Sequence, residues 1–486
     1  WNKLHPWKSL TNWLSSKWNA LTNWLSSKWN ALTNWWFSLH PFYRQLPVNL
    51  IIGLSVTWLM MSFQNWVWLM EAEDASMDWL MQVNQNIVPS IKDSGIPPFV
   101  VLDIDNKTFQ AWGEPLVIPR DKITHLIDAA VKAKARLILV TFDINRAIPF
   151  GEGALHPQDE ELKKYLANYA TDCQTKPDKS SCPPIILFRA FQPYPGLVQI
   201  PRTGFLDDVV ANAGKYIQWA SAQFYSKNVI RRGKLWVRSC TADKKPEIVP
   251  SMELLAMSKI LGCSTDDLQK AVHPLQPKIC KGFSIHSTQK LSPESMQFCG
   301  LTVDTEIHGT HPQIKYRMAW LIDEQPPALP YLITDELDIP TLVIFAAQSF
   351  TDLTPKPAYL EALNNSIVLI GESYREAQAV QSTPLGDMPN SLILINSLYS
   401  LLEQENNEPS EFLWIVDILI TIVFIGIISR LFCSFWGRWG SGIIVLFILL
   451  PVFLLVFNYG TWFTFALPLI VISIFQHFIN RLISNK

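Results

Sequence analysis

Four long apolar runs constrain this chain more than any other feature of its sequence. Residues 48–70 contain no charged side chain, and residues 412–432, 442–457 and 462–479 form three further runs near the other end. A helix of about 20 residues, rising about 1.5 Å per residue, spans a hydrocarbon core of about 30 Å. The sequence therefore predicts one transmembrane helix before a central region and three after it. The last two runs contain prolines, which leaves open a single kinked hairpin that does not cross fully.

The charges of the flanking segments predict an orientation. Basic residues but no acidic ones precede the first run, and basic residues also follow the second run and close the chain. Basic loops stay on the cytoplasmic side, and four crossings place all three clusters there. We therefore expect a bacterial inner (cytoplasmic) membrane protein whose large central domain, residues 71–411, lies in the periplasm or outside the cell.

The first 45 residues contain an internal repeat. Leu10–Ala20 recurs without change as Leu21–Ala31, and a period of 11 keeps the leucines and tryptophans on one helix face. The lysines and asparagines of the repeat are too costly to bury in hydrocarbon. We predict a cytoplasmic amphipathic helix that contacts the lipid bilayer, other membrane protein subunits or a second copy. The predicted organisation is then 1–45 repeat helix, 46–70 transmembrane helix, 71–411 extracytoplasmic domain and 412–486 three transmembrane helices.

Composition narrows the possible functions. A formal net charge of −2 gives no basic field for nucleic acid. Six of the seven cysteines lie in the predicted extracytoplasmic domain, which fits disulfides in an oxidising space better than free thiols in a reducing one. The polar, proline-containing segment between Cys173 and Cys182 predicts a disulfide that clamps an exposed loop. The remaining four allow three pairings: Cys240, Cys263, Cys280 and Cys299. No cysteine or histidine spacing resembles a metal site, and no cofactor is expected.

Residues 71–411 have the pattern of an α/β domain. An apolar strand, an amphipathic helix and a second apolar strand follow one another, which predicts a βαβ unit and a mostly parallel sheet. Asp121 is the expected N-cap of that helix. Further short apolar runs predict two more strands, and a last helix leads toward the second membrane run. The predicted elements are strands 98–103, 136–142, 185–188 and 366–370 and helices 121–134 and 392–402.

Polar residues at the ends of these strands form the candidate site. Asp103, Asp105 and Asp143 end or follow parallel strands, and Arg120 begins the intervening helix. Ligands bind at the carboxyl ends of strands in open α/β sheets, so these four residues are candidate ligand-binding groups. The alternative is that the carboxylates cap turns. A phosphatase of the haloacid-dehalogenase type is disfavoured, because Lys107 stands where that class needs threonine.

Several short segments between residues 98 and 402 together form a recognisable pattern. They include Val101–Asp105, Pro119-Arg120, Ile138–Asp143, Ile230–Arg232, Ile367–Gly371, Ser382–Gly386 and Asn396. With these segments the domain resembles the second type of CHASE domain, an extracellular sensory module of bacterial receptors. The resemblance adds Thr383 to the candidate ligand-binding residues and implies one membrane helix before the domain and three after it.

Departures from the family pattern favour one of two functions. Lys134 and Asn390 stand where the family usually has glycine, and Ala379, Val380 and Gln381 stand where it usually has an aspartate shortly before Thr383-Pro384. The family usually continues into a cytoplasmic enzyme, whereas this sequence ends at Lys486. We therefore expect no catalysis, and a membrane-anchored sensory or scaffold protein that is a subunit of a larger membrane assembly. The alternative is a receptor that binds a small extracytoplasmic ligand and signals through a separate cytoplasmic partner.

Overall fold

The computed structural model describes most of the chain between residues 77 and 406. The described residues are 77–83, 96–151, 154–175, 182–192, 199–226, 228–241, 245–263, 265–273, 280, 295–298, 301–304, 314–320, 328–335, 339–351 and 355–406, with scattered positions from 17 to 75. No helix within these ranges is both long and apolar enough to cross a membrane. Apart from Ile51, the four predicted spans lie outside the described residues.

Two compact units divide the chain, and the larger one, Glu73–Asn407, holds the predicted domain. Its strands are β1 Phe99–Ile104, β2 Leu137–Val140, β3 Ile185–Phe188, β4 Phe191–Gln192, β5 Ile200–Pro201, β6 Ile217–Ala220, β7 Phe224–Ser226, β8 Ile230–Gly233, β9 Trp236–Cys240, β10 Pro246–Pro250, β11 Ser295–Phe298, β12 Leu301–Asp304, β13 Tyr331–Thr334, β14 Pro340–Ala346, β15 Ile367–Glu372, β16 Val380–Thr383 and β17 Gly386–Pro389. Its helices are α1 Asn106–Ala111, α2 Arg120–Lys132, α3 Pro157–Thr175, α4 Asp207–Ala213, α5 Met252–Ile260, α6 Thr265–Val272, α7 Gln348–Thr351, α8 Pro357–Leu363 and α9 Asn390–Asn406.

A seven-stranded sheet in the order β13-β14-β1-β15-β2-β3-β6 forms the centre of this unit. Every neighbouring pair is parallel except β13–β14 at one edge. The prediction of an α/β domain with a mostly parallel sheet is therefore confirmed. The strand β15 comes late in the chain yet lies between β1 and β2. The remaining strands form two-stranded antiparallel hairpins.

Helices cover both faces of the sheet. Strands β1, β2 and β15 are apolar on both sides, as expected for strands of a parallel sheet covered on both faces. One face packs in a single apolar core with α2, α3 and α4. The other face contacts α5 and α9, which also pack against each other. On this second face Gly371 admits the start of α9, since a Cβ there would lie 2.7 Å from the Ser391 Cβ.

The helix α2 begins one residue earlier than predicted. Pro119, with φ −59° and ψ 127°, occupies the N-cap without a side-chain cap, and Arg120 is the first helical residue. The expectation that Asp121 caps this helix was therefore wrong, because the extended backbone needed at the N-cap is already supplied by the proline. Asp121 lies in the first turn, where its charge still favours the positive end of the helix dipole.

The end of α2 explains one departure from the family pattern. Lys134 has φ +58°, and its N–H donates to Val131 O while Ala135 N donates to Ala130 O. These two bonds define a Schellman motif, whose left-handed position glycine occupies without a Cβ penalty. The usual glycine of the family therefore has a backbone reason, and the lysine places strain at an exposed site.

Replacing Lys134 by glycine is expected to raise the free energy of unfolding. Relief of the left-handed strain stabilises the folded domain by about 1 kcal/mol. The greater conformational freedom of glycine in the unfolded chain offsets a part of this gain. The change is measured by unfolding the full chain in urea, with cleavage of the domain by a protease reporting the unfolded fraction at each urea concentration. Lys132→Gly, two residues earlier at a helical φ, is the control and should destabilise. A loss of stability in Lys134→Gly would contradict the strain.

Disulfides close loops of the domain. The predicted Cys173–Cys182 bond is confirmed and joins the end of α3 to the residues before β3. Cys240 pairs with Cys280, which selects one of the three pairings left open by the sequence. Cys263 is disulfide-bonded as well. Chain entropy predicts a larger stabilisation for the longer Cys240–Cys280 loop than for the Cys173–Cys182 loop.

Candidate functional site

The candidate residues Asp103 and Asp143 lie at the same edge of the sheet. Asp103 is the last residue but one of β1, and Asp143 follows β2 by three residues. Both strands run parallel to β15, which lies between them, so their carboxyl ends meet at one edge. The sequence pattern thus placed the two carboxylates correctly relative to the sheet. Whether any of these groups binds a ligand stays a prediction.

Asp103 is the most buried of the candidate carboxylates. It is 1 % exposed, and the hydroxyl of Ser373 donates to its Oδ2. Its other oxygen, Oδ1, has no hydrogen-bond partner among the described residues. Burial raises the pKa of Asp103 to about 7; the Ser373 hydrogen bond opposes this rise, and the charges of Asp105 and Glu372 add to it. Asp103 is therefore largely neutral below neutral pH.

Glu372, at the end of β15, is a second acid at this edge and is partly buried; it is in register with Ile104, the residue after Asp103. Burial raises the pKa of Glu372 to about 7, and a hydrogen bond with Tyr374 lowers it. The Tyr374 ring stacks on Phe109 of α1 with centroids 4.1 Å apart. Two neighbouring strand ends thus each carry an acid whose pKa is raised to about 7. Glu372 was not among the predicted site residues, although its position after the apolar run of β15 matches that of Asp103 after the apolar run of β1.

Asp105 has a local structural role. It is the N-cap of α1, and its Oδ1 accepts a hydrogen bond of 2.9 Å from Thr108 N. A carboxylate at this position satisfies a backbone N–H that the first turn leaves unpaired. For Asp105 the alternative interpretation of the sequence is therefore correct: its carboxylate caps a turn.

Arg120 forms a buried ion pair at the start of α2. Its Nε lies 3.3 Å from Asp159 Oδ1, and the two side chains are 1 % and 0 % exposed. Its terminal nitrogen Nη2 donates to Arg146 O at 2.8 Å, and the other Asp159 oxygen accepts from Ile148 N at 2.7 Å. Burial lowers the pKa of Arg120, and Asp159 acts against that shift. Arg120 therefore fastens α3 and the loop after β2 to the start of α2.

Asp143 is also engaged within the domain. Its Oδ2 accepts from Arg202 at 2.8 Å, and its Oδ1 accepts from Asn145 N at 3.0 Å. Beside it, Asp207 of α4 accepts from Arg189, Asn145 and the backbone N–H of Gly204. Near β2 and β3, Asp143 and Asp207 at the edge of the sheet thus each have an arginine partner.

Thr383 lies in the β16–β17 hairpin. Its hydroxyl donates to Gly386 O at 2.6 Å and accepts from Leu385 N at 3.3 Å. These bonds stabilise the hairpin turn, and this hairpin packs against β8 and α9. The hydrogen bonds of the Thr383 hydroxyl therefore stay within its own hairpin, whereas Asp103 and Glu372 bond to Ser373 and Tyr374. Thr383 and the strand-end acids therefore share none of these hydrogen-bond partners.

Other residues named only for the resemblance prove to join distant segments. Arg231 and Arg232 of β8 pair with Asp78 and Asp74, which precede the central sheet in the chain. The amide of Asn396 in α9 bonds the backbone at Arg317 and Met318. Two sequence features mark these positions: the adjacent arginines Arg231 and Arg232, and the amide Asn396 within an apolar helix. The spacing of the sequence did not predict which residues these side chains bind.

The described residues offer no metal site. No group of three His, Cys, Asp or Glu side chains in this part of the chain is arranged to hold an ion. The sheet edge carries two acids with raised pKa values, Asp103 and Glu372, and carboxylates that are paired with arginines.

Comparison with known families agrees with the resemblance found in the sequence. The family model described as the CHASE2 domain matches residues 51–431. The curated proteins and the solved structures give no significant match. CHASE2 is an extracellular or periplasmic sensory domain, and the Cys173–Cys182 and Cys240–Cys280 disulfides fit an oxidising compartment. Since the match covers most of the 486 residues, the chain belongs to the CHASE2 domain family.

Proposed function

We propose that this chain is a non-catalytic, membrane-anchored CHASE2 protein that acts as a subunit of a larger membrane assembly. The observation that carries the proposal is the state of the candidate residues. Arg120 is paired with Asp159, Asp143 is paired with Arg202, and Asp105 caps α1. Groups that are saturated by internal bonds contribute to packing, and a ligand would have to displace those bonds to use them.

The repeat supports an assembly role. Its described residues are helical, and Trp18 and Trp29, one unit apart, are equally exposed at 67 %. Trp24 and Trp35, also one unit apart, are both 58 % exposed. Large indole rings exposed at a fixed spacing form a contact surface that favours burial against lipid or protein. Identical units present the same side chains in register, which suits a repeating protein partner better than a lipid surface.

A receptor for a small ligand is the second candidate. Asp103 favours it, because its Oδ1 is buried without a partner among the described residues and Glu372 lies on the neighbouring strand end. A ligand with a hydrogen-bond donor or a positive charge would satisfy the unpartnered oxygen of Asp103. Signalling would then pass through a separate cytoplasmic partner.

Deletion of Leu21–Ala31 tests the assembly role. It removes one unit and preserves the helical phase of the rest. We expect membrane association to be unchanged, because the apolar spans supply it, and co-purification of partner subunits from the native membrane to fall at least about tenfold, since a contact face worth ~1.4 kcal/mol or more is lost.

A matched control separates protein from lipid contact. Trp24→Leu with Trp35→Leu keeps an apolar face but removes two indole rings, so a lipid-bound helix should tolerate it better than a protein-bound one. A complex that survives the deletion intact would refute the assembly role, and binding of a small cation to the wild type that Asp103→Asn abolishes would favour the receptor.

A further inference from the structure

The segment that enters the domain is held by two charge pairs, by buried apolar side chains and by a hydrogen bond of 2.8 Å from Gln82 Nε2 to Pro384 O. Residues 74–83, here called the stem segment, follow the predicted apolar span 46–70 in the sequence, and their described positions are helical. Met77, Leu80 and Met81 are buried. Asp74 and Asp78 are one helical turn apart and therefore share a face.

Each pair is a bidentate contact, in which two guanidinium nitrogens donate to one carboxylate. Arg231 donates to Asp78 through Nε at 3.0 Å and through a terminal nitrogen at 2.6 Å. Arg232 donates to Asp74 at 3.1 and 2.8 Å. Two such pairs one turn apart fix the position of the stem segment and its rotation about its own axis. The side chains are 13–26 % exposed, so water and salt reach both pairs.

The strand that carries both arginines is tied in turn to residues 314–318. Ile314 N donates to Arg231 O at 2.7 Å, and the Tyr316 hydroxyl donates to Ile230 O at 2.9 Å. Strand β8 therefore joins two segments. The Arg231 side chain binds the stem segment, and the backbone oxygens of Ile230 and Arg231 bind residues 314–316.

The far side of residues 314–318 is fastened to α9. Asn396 accepts from Arg317 N and Met318 N at 2.8 and 2.9 Å and donates to Met318 O at 3.0 Å. Ser400 accepts from Lys315 N at 2.9 Å. Asn396 and Ser400 are buried, in contrast to the water-accessible pairs of the stem segment. The helix α9 precedes the predicted apolar run 412–432.

We propose that these contacts form a mechanical coupling between the stem segment and α9, in which the Asp74–Arg232 and Asp78–Arg231 pairs are the releasable joint. The joint opens before the buried contacts at α9, because solvent-accessible ion pairs are weaker and are screened by salt. Release of the stem segment loosens residues 314–318 and thereby α9. The coupling concerns the folded domain itself and does not depend on the assembly role.

Hydrogen exchange of the full chain in detergent tests the coupling. Arg231→Ala with Arg232→Ala should accelerate exchange in residues 74–83 about tenfold and in residues 396–403 about threefold, while the β1 peptide keeps its rate. Coupling is reciprocal, so Ser400→Ala should accelerate exchange in residues 74–83 as well. Arg202→Ala, which removes a comparable arginine–aspartate pair at the sheet edge, should change neither peptide.

Two results would overturn the proposal. Faster exchange in residues 74–83 with an unchanged rate in residues 396–403 would mean that the pairs anchor the stem segment without coupling it to α9. Unchanged exchange in both peptides would mean that the pairs hold nothing. If the double arginine variant does not fold, Asp74→Asn with Asp78→Asn opens the same joint from the stem side and leaves β8 intact, and the same two readings apply.

Discussion

Replacing Arg120 by alanine is expected to lower the free energy of unfolding by about 3–5 kcal/mol, because it leaves the carboxylate of Asp159 buried without its counter-charge. Asp159 is 0 % exposed, and its hydrogen bond from Ile148 N does not neutralise it. The loss is measured by unfolding the purified full chain in urea, with cleavage of the domain by a protease reporting the unfolded fraction at each urea concentration. Assembly and ligand binding should change only as far as the domain unfolds.

Two variants isolate the buried charge as the cause. Arg202→Ala removes the partner of Asp143 at a site where the arginine is 40 % exposed, and it should cost about 1 kcal/mol or less. Arg120→Met with Asp159→Leu removes both buried charges and should be more stable than Arg120→Ala alone. Equal losses in Arg120→Ala and Arg202→Ala would refute the argument from burial. If Arg120→Ala stays stable but no longer binds a ligand that the wild type binds, Arg120 is a ligand-binding residue.

The central sheet was predictable because its strands are apolar on both faces. β1, β2, β3 and β15 appear in the sequence as short uninterrupted apolar runs, which is what burial under helices on both sides requires. The hairpins were not predicted. β8 and β10 carry charged and polar residues, and their pairing depends on turns and on neighbours rather than on an apolar pattern.

The candidate site was predictable only in part, for a similar reason. The end of an apolar strand locates Asp103 at the sheet edge, since strand direction follows from the parallel topology. The partner of a side chain depends on which helix packs beside it. Asp159, which neutralises Arg120, lies 39 residues further along the chain, and Asp78 lies 153 residues from Arg231. No local pattern encodes such distances.

A second large effect is expected from the acids that the fold keeps neutral. Burial raises the pKa of Glu253 to about 7, while its own backbone and the nearby hydroxyls of Ser251 and Ser397 lower it. Glu253 is 1 % exposed and lies between β8 and α9: a Cβ on Gly233 would be 3.1 Å from its Oε1 and 3.4 Å from the Ser397 Oγ. Among the described residues, no donor meets hydrogen-bond geometry with either carboxylate oxygen.

The direction of the pH dependence follows from the raised pKa values. Between 4.5, the ordinary pKa of a glutamate, and about 7, the folded chain keeps the proton on Glu253 while the unfolded chain releases it. The folded state then binds more protons, so the free energy of unfolding falls as the pH rises through this window and levels off above it. Asp103 and Glu372, whose pKa values are also raised to about 7, act in the same direction.

Glu253→Gln should remove the share of this loss that belongs to Glu253. A difference of about 2.5 pKa units corresponds to ~3 kcal/mol, so between pH 4 and pH 8 the variant should lose about 3 kcal/mol less stability than the wild type. Comparing the change between the two pH values cancels any constant cost of burying the amide. Glu361→Gln, at an exposed helical position, is the control and should follow the wild type. If Glu253→Gln loses as much stability as the wild type over this range, Glu253 is already ionised in the folded domain and must have a counter-charge within its reach.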